Sequence, residues 1–228
     1  MNDFQNRPVS LTAGVSDRVA FIRAVYLWLM GGFGVAALGA FAALPIAMAL
    51  APVLGRAFIW VLFGAQFGTL LWAGAVSRRK PLNRIAYALT TFISGVIAGI
   101  VIFQVARTAG TGVVVAAFGM TGAAFLTLTA ITFITKKDFS FLRSFVLVGI
   151  AIMFFGGLIA AIFSLNGLSL VVSAVAVIAC SGKILWDTST MLRTDDLGDP
   201  AGFALSLFVS LYNIFLSLLN LLSGGRRS

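Results

Sequence analysis

Lys183 and Asp187 interrupt an otherwise apolar run, in Gly182-Lys183-Ile184-Leu185-Trp186-Asp187-Thr188. Four residues apart on a helix, they share a face and lie close enough to pair, although a lysine preceding the acid is the weaker orientation. A charge at bilayer depth is costly and is kept for ion paths, proton relays or buried pairing. Asp187 is therefore the first candidate for handling an ion, with Lys183 beside it. One carboxylate among hydroxyls and carbonyls makes at best a weak calcium site, suited to passage and not storage, because calcium takes about six to eight oxygens. A blander reading stands beside this one. If the span starts near Leu168, Lys183 lies about 22 Å and Asp187 about 28 Å along it. In a core about 30 Å thick, that is near the edge, where lysine snorkels and an acid meets water.

A second pattern occupies Ala201–Leu222. Ser206, Ser210, Asn213, Ser217 and Asn220 recur at helical steps and fall on one face, with leucines and phenylalanines over most of the rest. Small polar side chains of this kind let helices approach and hydrogen-bond. The stripe is thus either a packing seam or the lining of a hydrated path, and both require a central helix. Ser206, Ser210 and Asn213 complete the candidate ion path or gate. Gln66 falls mid-span and is expected to bond a neighbouring helix, while Gln104 lies near a span end. Gly31, Gly32 and the Gly95-x-x-x-Gly99 pattern read as packing contacts and not as a dimer signal.

The elements that must position these groups follow from composition. Of 228 residues 60% are hydrophobic and 10% charged, far from a soluble domain, so the chain is an all-α, multi-pass membrane protein. Runs of about 20 apolar residues give seven spans: 24–44, 57–76, 85–105, 112–134, 145–163, 168–191 and 201–222. Residues 1–20 read as a polar cytoplasmic tail, 21–222 as one transmembrane domain and 223–228 as a short C-terminal tail. Arg7, Arg18, Arg23, Arg78, Arg79, Lys80, Arg84, Lys136, Lys137, Arg143 and Arg193 gather on one side. Only Arg56 and Arg107 mark the loops opposite, which puts the N-terminus in the cytoplasm. Seven crossings then send Arg226 and Arg227 to the far side, against that rule, so the last segment either crosses at that small cost or re-enters and returns; it is long enough to cross. The net charge of +9 is accounted for by these loops, so no nucleic-acid partner is expected. No cofactor is expected either. The chain has no histidine and a single cysteine, Cys180, which removes the usual zinc ligands and the Ser-His base. Only one span holds an acid, where an aspartyl protease needs two carboxylates. The chain is not expected to be an enzyme.

Three stretches together resemble the Bax inhibitor-1 (transmembrane Bax inhibitor motif) family, in its bacterial YccA-like branch. They are Ile134-Thr-Lys-Lys-Asp-Phe-Ser-Phe-Leu-Arg-Ser-Phe145, Ile184-Leu-Trp-Asp-Thr188 and Ala204-Leu-Ser-Leu-Phe-Val-Ser-Leu-Tyr-Asn-Ile-Phe215. The similarity runs from about Asp17 to Leu222. It implies six helices wrapped around a central C-terminal helix, placement in the bacterial inner membrane, and a calcium or cation leak controlled by protons. That control is attributed in the family to two aspartates, one in span six and one in span seven. Here Asp187 holds the first position, Ser210 stands where the second acid is expected, and Ser77 replaces a basic residue of some relatives. Asp187 is expected to be neutralised by Lys183 and bonded to Ser210, leaving the proton latch incomplete. The resemblance also implies an alternative, a regulator that binds a membrane-anchored protease and transports nothing. Besides lipid, the expected partners are calcium or protons in the first case and the protease in the second.

Overall fold

Inside a bilayer no water is present to satisfy backbone N–H and C=O groups, so an apolar chain of this kind must cross as closed helices. The computed structural model describes residues 15–55, 57–77, 79–193 and 198–224. Most of the expected N-terminal tail, Arg56, Arg78, Asp195, Asp196, Arg226 and Arg227 lie outside them. Seven helices follow in order: α1 Val15–Leu54, α2 Ala57–Ala75, α3 Leu82–Thr108, α4 Thr111–Thr135, α5 Leu142–Ile162, α6 Asn166–Arg193 and α7 Pro200–Gly224. All seven are long and apolar enough to cross a membrane, and no strand occurs among the described residues.

The helices match the expected spans in order, and α1 departs most from its expected length. It runs 40 residues, straight through Pro45 and Pro52, where the sequence reading stops at Leu44. It also begins inside the stretch read as tail, with Asp17 in its first turn, where a carboxylate complements the helix dipole. Proline costs a helix one backbone bond, but membrane helices tolerate it. At about 1.5 Å per residue α1 is close to 60 Å long, so it tilts or extends beyond the hydrocarbon core.

The most buried helix is α7. It packs directly on α1, α3, α4 and α6, and its Leu205 reaches the cluster of Ala73, Val76 and Ala86 where α2 turns into α3. On the outside, α5 packs against α6, and its Phe154 stacks on Phe67 of α2 at 4.8 Å. Six helices therefore surround the C-terminal one.

Backbone proximity holds the largest pairing, α1 on α3. A Cβ at Gly95 would stand 2.0 Å from the Ala36 carbonyl oxygen, and one at Gly99 would stand 2.7 Å from that of Ala40. Gly95-x-x-x-Gly99 is thus an internal seam. Gly32 meets the Tyr87 hydroxyl, whereas Gly31 meets nothing within 4 Å. Tyr87 donates to the Trp28 carbonyl at 2.6 Å. Gln66 accepts from the Ser94 hydroxyl at 3.1 Å, tying α2 to α3 as its mid-span position suggests.

The seam makes a direct prediction. Gly95→Ala is expected to destabilise the protein by about 1–3 kcal/mol through overpacking. Gly64→Ala on α2, where an added Cβ meets nothing within 4 Å, should be neutral or slightly stabilising. Cys180 is buried and the only cysteine, so its labelling by a thiol-reactive dye during a thermal ramp reads both.

Candidate functional site

Antiparallel helices joined by a short connection place residues level when they lie equally far from that connection. Asp187 is six residues before the end of α6, and Ser206 is six after the start of α7; the two meet. The Ser206 hydroxyl donates to Asp187 Oδ2 at 2.7 Å. Lys183 Nζ lies 2.7 Å from the same oxygen and also donates to Ser206 Oγ. The three side chains form a closed network in which the hydroxyl accepts from the ammonium and donates to the carboxylate. Side-chain exposure is 19% for Lys183 and 11% for Asp187, so the pair is largely buried in the bundle. Lys183 also sits over the Trp186 ring at 5.7 Å.

The expected bond from Ser210 to Asp187 is not formed. Ser210 is buried and donates to the Ser206 carbonyl at 2.9 Å, one turn too far along α7 to reach the acid. Asn213 donates to the Val209 carbonyl at 2.8 Å and does not join the network. At the opposite end of α7, Asn220 donates to Ser169 Oγ and Ser173 Oγ of α6, each at 2.8 Å. The stripe therefore splits into a charged group near one end and a neutral group near the other, with two self-satisfied residues between.

Each group borders a cavity. The charged one adjoins about 290 Å³ between the α2–α3 turn and α6–α7, with Ser77 and Asn83 on its wall. The neutral one adjoins about 340 Å³ lined by Gln104, Ser217 and Asn220. The donor set at Asp187 does not fit a resident calcium ion, because the only carboxylate already accepts from an ammonium. Among the described residues no group of three metal-binding side chains occurs.

Loop contacts brace the charged end. Arg193 pairs with Asp138 at 2.8 Å and donates to the Lys136 carbonyl at 2.7 Å, fastening the α4–α5 turn to the end of α6. Asp199 accepts from the Ala201 N–H at 3.0 Å, with Pro200 at the first helical position, the favoured start of a helix. It also pairs with Lys80 at 3.3 Å. These brace residues were not singled out from sequence, although Asp199-Pro200 is a readable cap. Hydrogen bonds from Ser140, and Arg193 beside it, hold the Asp138 carboxyl below its ordinary value. Burial pushes Asp199 up, but the Ala201 N–H, Asn83 and Lys80 bring it below its ordinary value on balance.

Comparison with known proteins gives the chain a family setting. A family model described as "Inhibitor of apoptosis-promoting Bax1" matches residues 18–228. The chain is 29% identical to a Campylobacter jejuni protein over 208 residues, covering 91% of this chain and 89% of that one. It is 35% identical to "Modulator of FtsH protease YccA" of Escherichia coli K12 over 150 residues, covering 65% and 67%. It is 29% identical to the "Golgi anti-apoptotic protein" of vaccinia virus over 232 residues, covering 97% and 92%.

Asp187→Asn leaves Lys183 buried without its counter-charge and is expected to cost about 3–5 kcal/mol, most of it recovered in Lys183→Met/Asp187→Leu. Ser206→Ala should cost about 1–2 kcal/mol and Ser210→Ala less; Cys180 labelling midpoints rank all four. The braces give an acid limb. A lowered carboxyl contributes stability that is complete above its unfolded value of about 4 and is lost as the pH falls through its folded value. The midpoint should therefore be level from about pH 7 to 5 and fall below about pH 4, less steeply in Asp138→Asn/Asp199→Asn.

Proposed function

This chain belongs to the Bax inhibitor family of membrane proteins, and from that premise we propose that it acts as an inner-membrane modulator of a membrane-anchored protease. The observation that carries this reading is the ammonium of Lys183 at 2.7 Å from the Asp187 carboxylate. A cation approaching Asp187 meets an already neutralised pair, which weighs against conduction and leaves the alternative that the E. coli relative's name supports. A bundle whose buried polar groups are bonded internally suits a protein that is held by a protease of the FtsH kind without being unfolded. The cytoplasmic N-terminal segment would provide the handle. Deleting residues 2–14 is expected to abolish co-purification with the protease from native membranes and to restore degradation of a reporter substrate. Equal recovery and equal degradation with and without the full chain would sink the proposal.

A cation leak is the second reading, favoured by the two polar cavities at opposite ends of α7. Passage would require Lys183 to withdraw from Asp187. In liposomes the unmodified chain should then pass little calcium from about pH 8 to 5, with weak pH dependence. Lys183→Met should raise flux by uncovering the carboxylate, and adding Asp187→Asn should remove that gain. A steep transition near neutrality in the unmodified chain, abolished by Asp187→Asn alone, would show that Lys183 does not silence the acid.

A further inference from the structure

Helices α1 and α4 flank α7 but do not approach each other backbone to backbone. They touch through the Tyr26 ring on Phe125, with centroids 6.2 Å apart. On either side of that bridge the seam holds a cavity. Toward the α4–α5 turn lies one of about 250 Å³, lined by Arg18, Phe133, Lys136, Lys137, Leu192 and Arg193. Deeper in the membrane lies one of about 440 Å³, walled by Phe33, Ala37 and Ala40 of α1 and by Phe118, Gly122 and Phe125 of α4. The same face of each helix serves both. On α4, Phe118, Gly122, Phe125 and Phe133 follow one helical stripe, with Lys136 just past the end of the helix, and on α1 Arg18, Tyr26, Phe33, Ala37 and Ala40 follow another.

We propose that the α1–α4 seam binds one anionic phospholipid, with its phosphate at the basic cavity and one acyl chain in the apolar cavity. Charge and shape both point to this occupant. Arg193 is engaged by Asp138, and Arg18 donates to the Leu192 carbonyl at 2.9 Å. Lys136 and Lys137 are exposed and in no ion pair with a described residue. Two ammonium groups beside two anchored guanidiniums suit a phosphate, and basic pockets between membrane helices are headgroup sites in general. From Lys136 to Gly122 the helix rises about 21 Å, close to the depth of one leaflet with its headgroups. The deeper cavity is apolar, so water gains no partners there, whereas a chain from the surrounding lipid fills it and recovers dispersion contacts. A partner's helix, about 10 Å across, is too wide for a cavity of this size. A free phosphate would leave the deeper cavity without an occupant.

The test is native mass spectrometry of the full chain released from micelles holding phosphatidylglycerol and phosphatidylcholine with identical chains. Preferential retention of one phosphatidylglycerol is expected. Lys136→Ala/Lys137→Ala should reduce that retention by roughly fivefold per lysine and leave phosphatidylcholine unchanged. Gly122→Leu, whose added Cβ meets nothing within 4 Å, should fill the deeper cavity and reduce retention of both lipids; Cys180 labelling confirms that each variant is folded. Glycerol phosphate, which lacks acyl chains, should not displace the lipid. Equal retention of the two lipids, indifference to either variant, or displacement by glycerol phosphate would each overturn the proposal.

Discussion

Lipid gives helices no hydrophobic reason to associate, because an acyl chain solvates leucine as well as another leucine does. What holds the helices together must therefore be van der Waals packing, tightest where backbones approach closely, and polar groups that prefer each other to hydrocarbon. Both devices appear here, in different places. Glycines at 32, 39, 95 and 99 bring α1 and α3 to distances at which a Cβ would collide. Hydroxyl, amide and charged side chains bind α6 to α7 at both ends. The central place of α7 follows from this division, since its polar face can be satisfied only from inside the bundle.

Periodicity made the polar face of α7 readable and hydropathy made seven crossings readable, because both depend on one helix at a time. What could not be read was register. Ser206 and Ser210 share a face, and only the length of the α6–α7 connection decides which of them stands level with Asp187. Counting equal steps outward from that connection selects Ser206. Family position points instead to Ser210, which spends its hydroxyl on its own helix. The extent of α1 was obscured for a related reason: proline signals a helix end in water, but carries less weight where the alternative is an unpaired backbone in lipid. The Gly95-x-x-x-Gly99 pattern announced a close contact, yet nothing in one segment says that α1 is the partner. Cavities, which belong to no single helix, left no trace in the sequence.

Register also changes what the charged network can do. Two carboxylates facing each other share a proton and respond to pH; a carboxylate facing an ammonium and a hydroxyl has its charge balanced at the outset. Such a pair is expensive to desolvate and seldom a net gain in stability over apolar residues of similar size. Its worth lies in specificity, because only one alignment of α6 against α7 brings Lys183, Asp187 and Ser206 together. A slip of one turn would bring Gly202 or Ser210 level with the acid in place of Ser206 and would unseat Asn220 from Ser169 and Ser173, so the contacts at the two ends of α7 specify the same register.

That coupling between the ends bears on how α7 could move. A rigid helix fastened by hydrogen bonds at both ends cannot slide or rotate to open one end without disturbing the other, some 20 Å away by helical rise from Ser206 to Asn220. Between the ends, Ser210 and Asn213 hold their own backbone and contribute no bond to a neighbour, so the middle of α7 is gripped only by apolar packing. Any opening of the charged end at Lys183 is therefore cheapest through the side chains, with the lysine swinging toward the cavity that Ser77 and Asn83 border and the helices staying in place. A bundle built this way can rearrange its charged end by a rotamer change at one residue while keeping a fixed shape for anything that binds its surface.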